Sequence, residues 1–454
     1  MPPILQPRIP NHGDGKGIVP DSWPVFAGKE PVDDALLDRL QRDAFGYFLQ
    51  NMNPRNGLIA DTTRDGSPSS IAVVGFALSA YPVGVERSWI DRSDAVERTL
   101  VALRFFMDSD QSGNPDATGY RGYYFHFLDM LSGKRVWHSE LSLIDTAFLI
   151  AGVLTAAAYF SAETSAETEL RRLADALYHR VDWCWAQRDG SAVMHGWKPE
   201  CGFLHYGWEG YSEAILLYVL GLGSPTHPLT EKSFLDWTVT YQWENLYGID
   251  FLYAGPLFIH QFSHAWIDFR GIRDRFMREK GCDYFENSRR ATYVQREYAT
   301  RNPHGFTGYA ADCWGLSAGD GPSVEPRLIG GRRQAFYGYA ARGVPYGPDD
   351  GTISGSSTLS SLVFAPEIAL PALRRMVARE PGGGAPYVHA SGFNATVSEA
   401  GSPGWISEGT FGLDQGVIVL MIENYRSGLP WLLSRGIPCI RAGLRRAGFR
   451  GGWL

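Results

Sequence analysis

The chain has 454 residues, 44% of them hydrophobic and 20% charged, with a net charge of −7 and no basic stripe. That length can bury a large core as one domain of helical-barrel size, and the acidic balance excludes a nucleic-acid surface; Arg289-Arg290 and Arg332-Arg333 are isolated pairs. No apolar run of 18 residues occurs, so no membrane helix is expected, and the five scattered cysteines show no C-x-x-C spacing for zinc.

Residues 1–32 are rich in Pro, Gly and Asp and read as an irregular arm. The start Met1-Pro2-Pro3-Ile4 has neither a basic n-region nor an apolar h-region. The chain as written is thus expected in the cytoplasm, or in the periplasm or outside if an export signal has been lost. From residue 33, helical periodicity dominates. Asp33 to Met52 is amphipathic, Ser70 to Tyr81 almost wholly apolar, and Ser93 to Met107 amphipathic again. Leu141 to Phe160 is apolar and Ala166 to Trp185 amphipathic, and the alternation continues through 211–220, 231–240, 256–269, 283–299, 356–364, 367–379 and 413–422.

About twelve helices, alternately buried all round and buried on one face, predict an all-α fold of two concentric rings, six inner and six outer. A single domain over 33–440 and a C-terminal tail at 441–454 follow. The connections 113–138, 191–208, 305–350 and 382–412 are long and rich in Gly and aromatics, which predicts one face of loops around a cleft. Short strands are expected there within 123–129 and 193–206.

The 14 Trp, 22 Tyr and 24 Phe often lie beside Gly, Asp and His, as in Gly122-Tyr123-Tyr124-Phe125-His126. Flat rings mixed with polar groups suit a neutral sugar, although aromatics also simply fill cores. Glycosidic cleavage needs two carboxyl groups flanking the bond, and several stand where long loops meet buried helices. Glu140 and Asp145 lie in Trp137-His138-Ser139-Glu140-Leu141-Ser142-Leu143-Ile144-Asp145, where Ser142-x-x-Asp145 also resembles a capping box. Glu209 and Glu213 lie four apart in Trp208-Glu209-Gly210-Tyr211-Ser212-Glu213; on one helical face they would repel and raise one pKa. Asp414 repeats the pattern in Gly412-Leu413-Asp414-Gln415-Gly416, while Asp350, in Asp349-Asp350-Gly351, is a turn signal first. His260 and His264 have the spacing of two metal ligands but lack a third, so hydrogen bonding to sugar or a core role is expected of them. Trp137, Trp208 and Trp314 lie on the long loops and are expected either to stack on sugar or to anchor those loops.

These stretches resemble the glucoamylase-like family that contains bacterial endo-β-1,2-glucanases (glycoside hydrolase family 144). The resemblance rests on Ser139-Glu140-Leu141-Ser142-Leu143-Ile144-Asp145-Thr146-Ala147, Gly210-Tyr211-Ser212-Glu213-Ala214 and Gly223-Ser224-Pro225-Thr226-His227-Pro228. It extends through Pro256-Leu257-Phe258-Ile259-His260-Gln261-Phe262-Ser263-His264, Asp283-Tyr284-Phe285-Glu286-Asn287-Ser288-Arg289-Arg290, Asp349-Asp350-Gly351-Thr352 and Asp414-Gln415-Gly416, spanning roughly residues 35–435. It implies an (α/α)6 barrel and inverting hydrolysis of β-1,2-glucan without metal; no cofactor is expected, and a monomer is expected although the sequence does not fix the oligomeric state. Glu213 would be the general acid and Asp414 the base, with Glu140, Asp145, Glu209, Trp137, Trp208, Trp314, His264 and Asp350 as substrate-binding candidates. Ser212 stands where Asn is common before the acid. A retaining transglycosylase, a non-catalytic glucan binder and a lyase are the alternatives.

Overall fold

The computed structural model describes residues 31–188, 190–329, 331–378, 386–398 and 404–454. The irregular arm expected at 1–32 lies almost wholly outside the described residues. The domain is mainly helical, and most of the longer helices fall where hydrophobic periodicity places them. Ile71–Glu86, Leu143–Tyr159, Ile215–Gly223 and Gly412–Arg426 are apolar along nearly their whole length and buried on all sides. Ser165–Arg180 instead buries Leu170, Leu173, Ala174, Leu177 and Tyr178, one face at helical spacing, and turns its charges outward.

The buried helices touch in sequence order. Ile71–Glu86 packs on Leu143–Tyr159, which packs on Ile215–Gly223. Gly75 and Gly152 allow the first of these contacts, because a Cβ on either would run into backbone of the other helix. Ser263 of the short helix Phe262–Trp266 accepts from the Leu216 N–H at 3.1 Å and donates to the Glu213 carbonyl at 2.7 Å. Gln261 donates to the Ser357 carbonyl at 2.7 Å in the helix Gly355–Ser360, which packs on Gly412–Arg426. That last helix returns to Ile71–Glu86, so the set of contacts closes on itself.

Amphipathic helices flank this set. Pro31–Gln50 lies on Gly412–Arg426, Arg92–Asp108 on Ser165–Arg180, and Pro366–Ala378 on Gly355–Ser360. The C-terminal residues are tied down as well. Pro438–Arg446 is a helix packed on Ile215–Gly223, and the Trp453 indole donates to the Asp268 carbonyl at 2.7 Å. That helix and its neighbour Leu429–Gly436 escape a periodicity reading because each is short and opens with proline.

Two features of this scaffold position the site. Phe76, Phe148, Phe262 and Trp266 pack together between the buried helices, Phe148 stacked on Trp266 at 5.6 Å, and form an aromatic floor. Above it, the loops form a five-stranded antiparallel sheet of Gly119–Tyr120, Tyr123–Phe125, Leu141–Ser142, Gly196–Lys198 and Gly202–Phe203 in that spatial order. Leu141–Ser142 lies at its centre, pairing with Phe125–Tyr124 on one side and Trp197–Gly196 on the other, and runs directly into the Leu143–Tyr159 helix.

Candidate active site

A cavity of about 590 Å³ opens over the aromatic floor, with Phe148, Phe258 and Phe262 among its lining residues. Four carboxylates line it: Glu140, Asp145, Glu213 and Asp414. Each is delivered by the junction of a loop with a buried helix.

Glu140 immediately precedes the central strand. The His126 N–H donates to the Glu140 carbonyl at 2.9 Å, so the two residues continue the ladder and their side chains meet. Ser142 is the N-cap of the next helix. Its hydroxyl accepts from the Asp145 N–H at 3.2 Å and donates to Asp145 Oδ2 at 2.5 Å. Asp145 therefore belongs to a capping arrangement and also lines the cavity.

His126 joins the two acids. Its Nδ1 lies 2.9 Å from Glu140 Oε1 and its Nε2 lies 3.5 Å from Asp145 Oδ2. Burial disfavours the imidazolium, but the charge of Asp145, then the hydrogen bond and charge of Glu140, then Asp61 outweigh it and push the ring up to about 9. Burial likewise resists ionisation of Glu140, and the hydrogen bond and charge of His126 overcome that, holding the carboxyl below its usual range. The ligand atoms of these three residues lie within 4.8 Å of one another, close enough for a cation, although both ring nitrogens already face carboxylates.

Glu213 and Asp414 stand differently. Glu213 keeps some accessible surface because it faces the cavity, yet protein surrounds it on every side. Burial pushes its carboxyl up to about 7; its own backbone N–H opposes the rise and the nearby Asp145 adds to it. Asp414, in the first turn of Gly412–Arg426, is also pushed up to about 7 by burial. Hydrogen bonds from Ser356 and Ser391 oppose that shift, the Ser356 hydroxyl at 2.8 Å, and the charges of Asp61 and Asp320 add to it. No arginine, lysine or histidine pairs with either carboxyl among the described residues.

Trp208 lines the same cavity, its ring stacked on His195 at 3.9 Å and 12°. Five other expected site residues do not line it. Glu209 is exposed, and because the helix begins only at Ile215 it shares no helical face with Glu213. The raised pKa of Glu213 comes from burial and Asp145, not from Glu209. Asp350 is fully buried and held by Nε and Nη2 of Arg342, at 2.7 and 2.8 Å, which pins the 305–350 loop. His264 is a core residue: its Nε2 meets Ser288 Oγ at 3.0 Å, and burial pushes the ring down to about 3. Trp314 has no exposure and anchors its loop, with its carbonyl accepting from Thr358 at 2.5 Å. Trp137 is 68% exposed and reaches the site only through Phe127, 5.1 Å from its ring. For the three loop residues among these, Asp350, Trp314 and Trp137, nearness in sequence to a motif does not decide which way a side chain points.

The cavity also contains His126, His195, Lys198, Tyr206, Tyr339 and Phe411, none of which the motifs singled out. His126 directly follows the strand Tyr123–Phe125, whose partner Leu141–Ser142 directly follows Glu140.

A mainly helical domain with a carboxylate-lined cavity over an aromatic floor, and no cation beside two of the acids, defines a carbohydrate-active class. The model of the family described as "putative glucoamylase" matches residues 205–438, more than half of the chain, and the chain belongs to that family. It is similar over 94% of its length, at 30% identity and a TM-score of 0.82, to the whole of a structure of a "putative glucoamylase" from Bacteroides uniformis. It is 27% identical, with a TM-score of 0.78 over 93% of this chain and 99% of the other, to an endo-β-1,2-glucanase from Chitinophaga pinensis solved with sophorotriose and glucose. A curated relative from Parabacteroides distasonis, an exo β-1,2-glucooligosaccharide sophorohydrolase, is 28% identical over 94% of this chain, which spans 60% of that relative's length. These relatives agree with the resemblance drawn from the motifs.

Proposed function

We propose that this protein is a glycoside hydrolase that cleaves β-1,2-linked glucan or its oligosaccharides with inversion at the anomeric carbon. The observation that carries this reading is that Glu213 and Asp414 line one cavity with carboxyls pushed up to about 7 and no cation paired to either. A carboxyl kept protonated near neutrality can give its proton to a leaving oxygen. In the reaction, Asp414 takes a proton from water as its oxygen bonds to C1, and Glu213 protonates the departing glycosidic oxygen as the C1–O bond breaks. The β-1,2 linkage is carried over from what the Chitinophaga and Parabacteroides relatives are named for.

The finer architecture we propose is an (α/α)6 barrel. With Ile71–Glu86 as the first inner helix, Glu213 precedes the third and Asp414 opens the sixth. Third and sixth positions of a ring of six face each other across its axis, which leaves room for a sugar and a water between the two carboxyls. Asp145 lies on the second helix, next to Glu213, consistent with its effect on that group.

NMR of the products formed from β-1,2-glucan tests linkage and stereochemistry together. The expected first product is the α-anomer. Retention would point to the transglycosylase on the same scaffold, and no cleavage of this glucan would remove the assigned linkage.

A further inference from the structure

The wall beside Glu213 holds an arrangement that the two-carboxylate reaction does not use. His126 presents one ring nitrogen to Glu140 and the other to Asp145, at 2.9 and 3.5 Å. A neutral imidazole has one N–H and one lone pair, so it would satisfy one carboxylate and turn a lone pair on the other. The imidazolium suits both, hydrogen-bonded to Glu140 and paired by charge with Asp145. Its ring lies flat against Phe127, 3.9 Å away at 13°, with Trp137 packed behind. The remaining charged group acting on this ring is Asp61, itself influenced by Arg64, while Lys198 acts on Glu140.

The far sides of the two carboxylates are open. Among the described residues, no side chain donates to Asp145 Oδ1 or Glu140 Oε2, and both residues line the cavity. Two fixed anionic acceptors side by side suit a vicinal diol, the pattern that adjacent ring hydroxyls of a glucosyl unit present. Carboxylates this close would repel and swing apart without the cation between them.

We propose that His126 is a positioning residue: as an imidazolium bridging Glu140 and Asp145, it holds their open oxygens as acceptors for two hydroxyls of the sugar beside Glu213, and it offsets the Asp145 charge acting on Glu213. The proposal rests on the glucan-hydrolase reading. Its imidazolium core can nonetheless be tested without turnover.

The first measurement is an NMR titration of the His126 ring protons in the substrate-free protein. The expected midpoint lies near 9, and one near the ordinary 6.5 would overturn the proposal. The second is steady-state hydrolysis of β-1,2-gluco-oligosaccharides by His126→Gln and His126→Lys, each checked for folding by its melting curve. His126→Gln should raise KM at least about 10-fold, the scale of a lost charge-assisted contact, and should move the alkaline limb of kcat/KM to higher pH. The limb moves up because the uncompensated Asp145 charge further disfavours ionised Glu213. His126→Lys retains the cation and should return the limb towards wild type. His126→Gln with unaltered KM and alkaline limb would overturn the proposal. If the wild type cleaves no β-1,2-glucan, the hydrolase reading falls, and calorimetric binding of the oligosaccharide to wild type and His126→Gln then decides: equal affinity, or no binding to either, overturns the positioning role.

Discussion

The two pairs of carboxylates in one cavity differ in what stands beside them. Glu140 and Asp145 share an imidazolium, and Glu140 is held below its usual range. Glu213 and Asp414 have no cation paired to them among the described residues, and burial, with neighbouring acids adding to it, pushes both up to about 7. The same side-chain type on the same cavity is thus held below its usual range at Glu140 and pushed well above it at Glu213 and Asp414. Burial acts on both walls, and a neighbouring cation opposes it only at the first. A fifth acid, Asp350, extends the contrast: it has no exposed surface, yet two bonds from Arg342 hold it below its usual range.

The sharpest way to break this comparison is to remove the proton from the unpaired wall. Glu213→Gln should lower kcat on β-1,2-gluco-oligosaccharides by about 10²–10⁴-fold with binding retained, as loss of a general acid does. Near-normal turnover by this variant would take Glu213 out of the role. Next in size is the buried pair. Arg342→Met leaves Asp350 uncompensated and should cost about 3–5 kcal/mol in denaturant unfolding, whereas no such loss is expected at Glu213. Trp314→Ala should cost a similar amount, about 3–5 kcal/mol, because it empties a core site.

The opposite sign is expected where a carboxyl is held protonated. The folded-state value of Glu213, about 7, exceeds the ordinary 4.5, so its contribution to stability is complete below pH 4.5 and is lost as pH rises through 7. Glu213→Gln should therefore stabilise the protein by about 1–3 kcal/mol at pH 8, after allowing for water in the cavity, and by almost nothing at pH 4. Equal melting-temperature shifts at both pH values would contradict the assignment. Activity should follow a bell centred near pH 7, since the base must be ionised and the acid protonated and both groups lie at about 7. The smallest effect is expected at Trp208. Its replacement by Ala should weaken oligosaccharide binding by about 0.5–1.5 kcal/mol, a several-fold rise in KM, with less loss of stability than at Trp314.

Hydrophobic periodicity determined most of the helices, because burial on one face or on all faces is written into the order of residues. Leu143–Tyr159 and Ser165–Arg180 were legible within a few residues for that reason. So was the placement of Glu140, Asp145, Glu213 and Asp414 at loop-to-helix junctions, a matter of adjacency along the chain. Tertiary structure alone decided which acids share a cavity and what stands beside them. The pairing of Phe125 with Leu141 brings His126 to Glu140 across 14 residues, and no local pattern announces a cross-strand partner at that separation. Direction was equally hidden: Asp350 and Trp314 turn into the core, Trp137 turns outward, and Trp208 faces the cavity. A side chain's charge state depends on its neighbours within a few ångströms, and those neighbours come from several distant segments at once.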